Sequence, residues 1–169
     1  AVGDRAEAEV LGGGQYRLTR VLPRTSALRR PSRRGSGDAL LAANADFVLA
    51  VCAAPSLLRA FTLPEWALEA ARAAGLPAGL FVSHWDRLAP EEGEALARRL
   101  EPLRAELDGL AWGSALEPPA GLLPALRGKA VAVLGGPGCG KTALIQRLAG
   151  VQAPLRPTTC LLYTSDAAD

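Results

Sequence analysis

The stretch GGPGCGKTAL, Gly135 to Leu144, constrains this chain more than any other. Gly135, Gly140, Lys141 and Thr142 fill the pattern G-x-x-x-x-G-K-[ST]. Gly136, Pro137, Gly138 and Cys139 lie between them and Ala143 follows. The run KAVAVLG before it has strand character. The run KTALIQRLAG after it sets Leu144, Ile145 and Leu148 at helical spacing and stops at Gly150. Strand, loop and helix together are the setting in which this pattern holds phosphate. Glycines let backbone N–H groups turn inward, and the helix N-terminus adds a favourable dipole. Lys141 would then reach the phosphates and the Thr142 hydroxyl would bind Mg²⁺. A plain glycine-rich turn before a helix is the alternative. The position is unusual, because only about 25 residues follow the loop. Nearly all of the strand and helix pattern available to it here lies upstream.

From Asp46 onward the sequence alternates strand and helix. DFVLAVCAA reads as a buried strand and TLPEWALEAARAAG as a helix. In that helix Thr62 is the expected N-cap, Glu65 completes a capping box, Pro64 sits in the first turn and Gly75 is the stop. PAGLFVS is a second strand. A helix begins at Pro90 and is expected to kink near Pro102. DGLAWGSAL supplies a third strand and AGLLPALRG a short helix. Such alternation predicts an α/β domain with a mostly parallel sheet, whose ligands bind beyond the carboxyl ends of the strands. The segments there are Ser83-His84-Trp85-Asp86 after GLFV, Gly113-Ser114-Ala115 after GLAW, and the phosphate loop after VAVL.

Upstream, RAEAEVLG and GQYRLTRVLP flank Gly12 to Gly14 and read as a β-hairpin. RRPSRRGSG is a linker by composition. Between Val10 and Gly37 there is no acid, but there are seven arginines: Arg17, Arg20, Arg24, Arg29, Arg30, Arg33 and Arg34. Such a block attracts phosphate backbones. It is equally what a solvated linker looks like in a chain with two lysines, Lys129 and Lys141, against seventeen arginines.

The order of these segments resembles a GTPase whose motifs are circularly permuted, the base-reading motifs first and the phosphate loop later. The stretches VGDRAEAEV, RLTRVLPRTSALRR, LAANADFVLAVCAAP and ALIQRLAG resemble the ribosome-small-subunit-dependent GTPases, with AANADFV the most distinctive. The resemblance runs from the first residue to about Gly150. It implies a partial OB-fold β-barrel with a basic linker over residues 1–37. A truncated, circularly permuted P-loop GTPase domain follows over 38–159. GTP and Mg²⁺ are the implied cofactors. The implied partners are the small ribosomal subunit and its rRNA, contacted through the arginines above. A cytoplasmic monomer is expected.

By the same resemblance Asp86 would accept hydrogen bonds from guanine, and Ser114 and Ala115 would place a backbone N–H on guanine O6. Ser83 and His84 stand where the family has Asn and Lys, and EPPAG replaces its Thr-Gly-Glu-Gly. These departures keep two other readings open: an ATP-using P-loop enzyme, and an RNA-binding module without enzymatic activity. Catalytic residues are not assigned. The family's switch threonine, its Asp-x-x-Gly strand and its zinc site have no counterpart here. Thr158 and Thr159 lie too near the phosphate-loop helix to replace that threonine. Residues 160–169, CLLYTSDAAD included, resemble a translated sequencing adaptor and are expected to be a non-native tail. The sheet edge beside the phosphate-loop strand is then expected to be bare.

Charge and cysteines set broad bounds. A net charge of +2 and an apolar share of 49% suit a domain with a real core. No apolar run is long enough to cross a membrane and no signal-peptide pattern opens the sequence, so no membrane partner is expected. Cys52, Cys139 and Cys160 show no metal spacing, and an odd, sparse set suits a reducing compartment.

Overall fold

The computed structural model describes residues 1–30 and 38–150, together with the backbone of Cys160–Thr164. Strands β1 (Ala6–Gly12) and β2 (Gln15–Val21) form the expected antiparallel hairpin. Its turn uses Gly12, Gly13 and Gly14, all at positive φ, where a side chain would be strained. The register sets Glu7 opposite Arg20 and Glu9 opposite Arg17 on one face. Ala8 faces Leu18, and Val10 faces Tyr16, on the other. Strands β3 (Ala27–Arg30) and β4 (Ala39–Ala43) make a second antiparallel pair around the fully buried Leu28. These two pairs precede the main sheet. The β3–β4 pair straddles the residue 37/38 boundary expected from the sequence.

Asn44 ties the N-terminal segment to the start of the main sheet. It is buried and left-handed, with φ 55°. Its Oδ1 accepts from the Thr25 backbone N–H (2.8 Å) and hydroxyl (3.1 Å), and its Nδ2 donates to the Gly3 carbonyl (2.8 Å). Asparagine suits both demands, since it tolerates the left-handed region and carries donor and acceptor at once. This is the physical content of the AANADFV stretch.

The main sheet is built from β5 (Phe47–Ala53), β6 (Ala78–Ser83), β7 (Gly109–Trp112) and β8 (Ala130–Gly135), all parallel, in the order β7-β6-β5-β8. Between them run α1 (Ala54–Arg59), α2 (Glu65–Ala73), α3 (Pro90–Leu100) and α4 (Leu122–Leu126), and α5 (Lys141–Ala149) follows β8. Both faces of the sheet are covered, so its strands read as unbroken apolar runs. Val48, Ala50, Leu80, Val82, Ala132 and Leu134 share one core with Leu57, Ala67, Ala71, Leu96 and Leu100. Leu49, Val51, Phe81, Val131 and Val133 share the other with Leu122, Leu126, Leu144, Ile145 and Leu148.

The structure corrects three expectations. Helix α2 begins at Glu65 with Pro64 as N-cap and no side-chain cap, so the Thr62–Glu65 capping box does not form. Pro64 takes the position before the first helical residue, and Thr62 is left three residues short of the helix. Near Pro102 the chain does not kink within one helix. Helix α3 ends at Leu100 and a 3-10 turn takes over from Glu101 to Ala105. Beside β8 the edge is not bare. β9 (Cys160–Thr164) pairs antiparallel to it, Leu134 opposite Cys160 and Ala130 opposite Thr164. Thr158, Thr159 and residues 165–169 lie outside the described residues. Helix α1 had no expectation attached, because Pro55 at its first turn follows directly on the strand run.

Candidate nucleotide-binding site

The carboxyl ends of β5, β6, β7 and β8 lie side by side, and the expected segments leave the sheet there. Gly135, at the end of β8, is compelled by packing. A Cβ on it would lie 2.3 Å from the Val51 carbonyl oxygen and 2.8 Å from Cys139 Sγ. Gly138 and Gly140 have φ 72° and 85°, the left-handed region in which the loop turns back to start α5. Gly136, Pro137 and Gly138 are exposed along the loop's rim, while Cys139 and Lys141 are buried.

Helix α5 has no side-chain cap and no acid in its first turn, so its first N–H groups remain available to an anion. Lys141 Nζ donates to the Gly136 carbonyl at 2.7 Å and sits 3.7 Å from Cys139 Sγ. Among the described residues no carboxylate forms an ion pair with it. A buried ammonium held only by neutral groups is short of counter-charge, and an incoming phosphate supplies it. The loop therefore fits a nucleotide's phosphates. Thr142, half-buried in the first turn, is the one expected metal ligand, and no cluster of His, Cys, Asp or Glu among the described residues could hold a metal without phosphate oxygens.

Gly140 is where the three expected segments meet. A Cβ there would lie 3.2 Å from the Ala115 methyl, 3.3 Å from His84 Cε1 and 3.7 Å from Ser83 Cβ. Ser83 is fully buried, and its hydroxyl joins the strand ends to the loop through the Cys52 and Cys139 carbonyls. Ala115 is buried, and the Ser114 hydroxyl accepts from the Leu116 N–H at 3.3 Å. Asp86 is exposed, in the 3-10 turn Trp85–Arg87. Trp85 is taken up in packing: it stacks on Trp112 with ring centres 5.1 Å apart and lies against Gly93 of α3. The Ser83 bridge and the Trp85–Trp112 pair had no signal in the sequence, since both join segments about 30 residues or more apart.

Burial sets the protonation of the site. It pushes the Cys52 thiol up to about 12 and raises Cys139 as well, against the opposing pull of Lys141. Both thiols are therefore poor nucleophiles. His84 is held below its ordinary value by burial and then by Arg87, with Asp86 opposing.

The basic block is less free than its sequence implies. Arg17 pairs with Glu9 at 3.5 Å, and Arg20 with Glu7 at 2.6 Å. Arg24 grips Asp4 through two hydrogen bonds of 2.6 and 2.9 Å. That contact holds the Asp4 carboxyl far below the usual range. The acids come from residues 4–9, just upstream of the acid-free window. Arg30 lies over the Trp66 ring at 4.9 Å. Arg29 is exposed, and Arg33 and Arg34 lie outside the described residues. No described helix is long and apolar enough to cross a membrane.

No protein-family model matches this chain, and no curated protein matches it in sequence. Solved structures do match in fold. YjeQ from Thermotoga maritima superposes with a TM-score of 0.62 at 21% identity, over 96% of this chain and 59% of that one. YloQ, a circularly permuted GTPase, superposes with a TM-score of 0.53 at 19% identity, over 86% of this chain and 48% of that one. The chain thus has the fold of a circularly permuted GTPase, and it spans about half to three fifths of the length of these structures.

Proposed function

We propose, from this permuted GTPase fold, that the chain is the nucleotide-holding part of a GTP-binding, GTP-hydrolysing factor acting on the small ribosomal subunit. One observation carries the reading: Lys141, buried without a carboxylate, lies in a glycine loop against which the Ser83–His84 and Ser114–Ala115 segments converge at Gly140. Lys141 neutralises phosphate charge, and the first N–H groups of α5 cradle phosphate oxygens. The Thr142 hydroxyl offers one ligand to Mg²⁺, whose chemistry when bound is to offset charge on the phosphate oxygens. Asp86, exposed at the strand ends, accepts from the N1 and N2 donors of guanine, which adenine lacks. Ala115, whose methyl abuts Gly140, belongs to the segment that would supply a backbone N–H to guanine O6.

The RNA partner is assigned to the arginine-rich strands. Arg17, Arg20 and Arg24 must exchange an internal carboxylate for phosphate, so Arg29 and the linker pair Arg33 and Arg34 carry the larger share of the attraction. Binding should fall steeply with salt.

Isothermal titration of the full chain with GTP, ATP and inorganic tripolyphosphate tests the reading. GTP should bind best, and Lys141→Ala should weaken GTP and tripolyphosphate alike. Charge-assisted contacts of this kind are worth about 1.5–3 kcal/mol each, so the loss should be about tenfold or more. Equal affinity for ATP and GTP would point to the ATP-using reading. Unchanged affinity in Lys141→Ala would reduce the loop to a turn.

A further inference from the structure

Strands β6 and β7 begin side by side at the register pair Gly79–Gly109. This is the amino end of the parallel sheet, and the phosphate loop leaves the other end. Ser83 lies roughly 13 Å further along β6. By strand alternation with Phe81 and Ala111, both glycines face the α4 side of the sheet. Packing accounts for Gly79: a Cβ there would lie 3.0 Å from Phe47 Cζ and 3.0 Å from the Gly109 carbonyl oxygen. Gly109 is different. A Cβ on it would meet nothing within 4 Å, and its φ is not positive. Neither packing nor backbone geometry calls for glycine at that position. Glycine inside a strand weakens it, and it often marks a place where a ligand comes close.

The space above Gly109 is a hollow of about 370 Å³ between the sheet and α4. Phe47, Leu49 and Ala111 wall it from the sheet, and Leu122 and Leu126 from the helix. Two charged residues line it, Lys129 and Asp108. Lys129 Nζ donates to the Ala125 carbonyl at 3.0 Å and lies 5.1 Å from the centre of the Phe47 ring. Asp108 Oδ2 accepts from the Ala78 backbone N–H at 2.9 Å. Among the described residues neither forms an ion pair, with the other or with any third group. An ammonium has three donors and a carboxylate about four acceptor sites, so each keeps capacity for a ligand.

We propose that this hollow binds a small zwitterion with a flat apolar ring, of the aromatic amino-acid class. The ring lies over Gly109, between the sheet and α4, where no side chain intervenes. The ligand's carboxylate meets Lys129 and its ammonium meets Asp108. The volume falls in the usual range for a small-molecule site, roughly 300–1,000 Å³. The site is separate from the phosphate loop, and the proposal does not depend on the nucleotide reading.

The test is titration of the full chain with L-tryptophan, 3-indolepropionate, which lacks the amine, and tryptamine, which lacks the carboxylate. Tryptophan should bind several-fold more tightly than either. Lys129→Gln should weaken tryptophan and indolepropionate and spare tryptamine. Asp108→Asn keeps an acceptor for the Ala78 N–H, and should weaken tryptophan and tryptamine and spare indolepropionate. Gly109→Val fills the hollow and should abolish binding of all three, with a thermal midpoint at or above that of the wild type. Lys141→Ala should bind all three as the wild type does. No binding of tryptophan by the wild type at millimolar concentration overturns the proposal. So does binding that Gly109→Val leaves intact, or binding that Lys141→Ala removes. Tryptophan affinity no better than that of the two single-charge probes overturns the zwitterion assignment, as does tryptophan affinity unchanged in both Lys129→Gln and Asp108→Asn.

Discussion

Replacing Gly135 by alanine should damage the fold before it touches any ligand. The added Cβ would stand 2.3 Å from the Val51 carbonyl oxygen, about 1 Å short of ordinary contact, and 2.8 Å from Cys139 Sγ. The thiol can move, but the carbonyl moves less readily, because Val51 and Gly135 are register partners, the last pair of the β5–β8 ladder. Strands β5 and β8 must part locally, weakening ladder hydrogen bonds at roughly 0.5–1.5 kcal/mol each. Overpacking a filled core costs a further 1–3 kcal/mol, roughly. The combined loss is about 3 kcal/mol, or about two orders of magnitude in the folding constant. Urea denaturation followed by tryptophan fluorescence should show a midpoint lower by about 1–2 M.

Gly136→Ala is the internal control, since a Cβ there meets nothing within 4 Å and φ is not positive. Gly140→Ala should fall between them: its φ of 85° costs roughly 1–2 kcal/mol, and its nearest contact is a methyl at 3.2 Å. A Gly135→Ala midpoint equal to that of Gly136→Ala would refute the packing argument and return Gly135 to the role of a flexible loop residue.

Three further outcomes are expected of the site. The folded state holds His84 below its unfolded value, so the unfolded chain binds the extra proton first, and stability should fall as pH drops from about 6.5 toward the folded value; a wild-type minus His84→Asn stability difference that does not change with pH over that range would contradict this. In a Cys160→Ser background, Cys52 and Cys139 should react with a thiol reagent far more slowly in the folded chain than in denaturant, and equal rates would show that burial does not govern them. Asp86→Asn should erode the preference for GTP over ATP by about tenfold or more, as expected for a contact to a charged acceptor, and raise tolerance of xanthine nucleotides; an unchanged GTP/ATP ratio would remove Asp86 from base recognition.

Much of the fold was legible in local pattern. The glycine loop between an apolar run and a helical run determined a strand–loop–helix unit. The alternation from Asp46 onward determined an α/β domain with a mostly parallel sheet, and Gly12–Gly14 between two alternating runs determined a hairpin. Each of these depends on neighbours within a few residues, where period and turn chemistry act. The order of the motifs resembled that of a circularly permuted GTPase, and the solved structures that match in fold agree with it.

Tertiary structure decided what depends on distant partners. Sequence showed seven arginines in an acid-free window, but Glu7, Glu9 and Asp4 reach three of them once the hairpin and the N-terminal turn form. Thr62 and Glu65 had the spacing of a capping box, but Pro64 set the helix start instead. Gly135 looked like a motif glycine, and only the approach of Val51, 84 residues upstream, shows why no side chain fits. Ser83 and His84 read in sequence as departures from a base-reading motif. In the folded chain one hydroxyl joins three segments, a strand end, a phosphate loop and an imidazole. Hydrogen-bond partners across such separations leave no local period, so only the packed sheet brings them within reach.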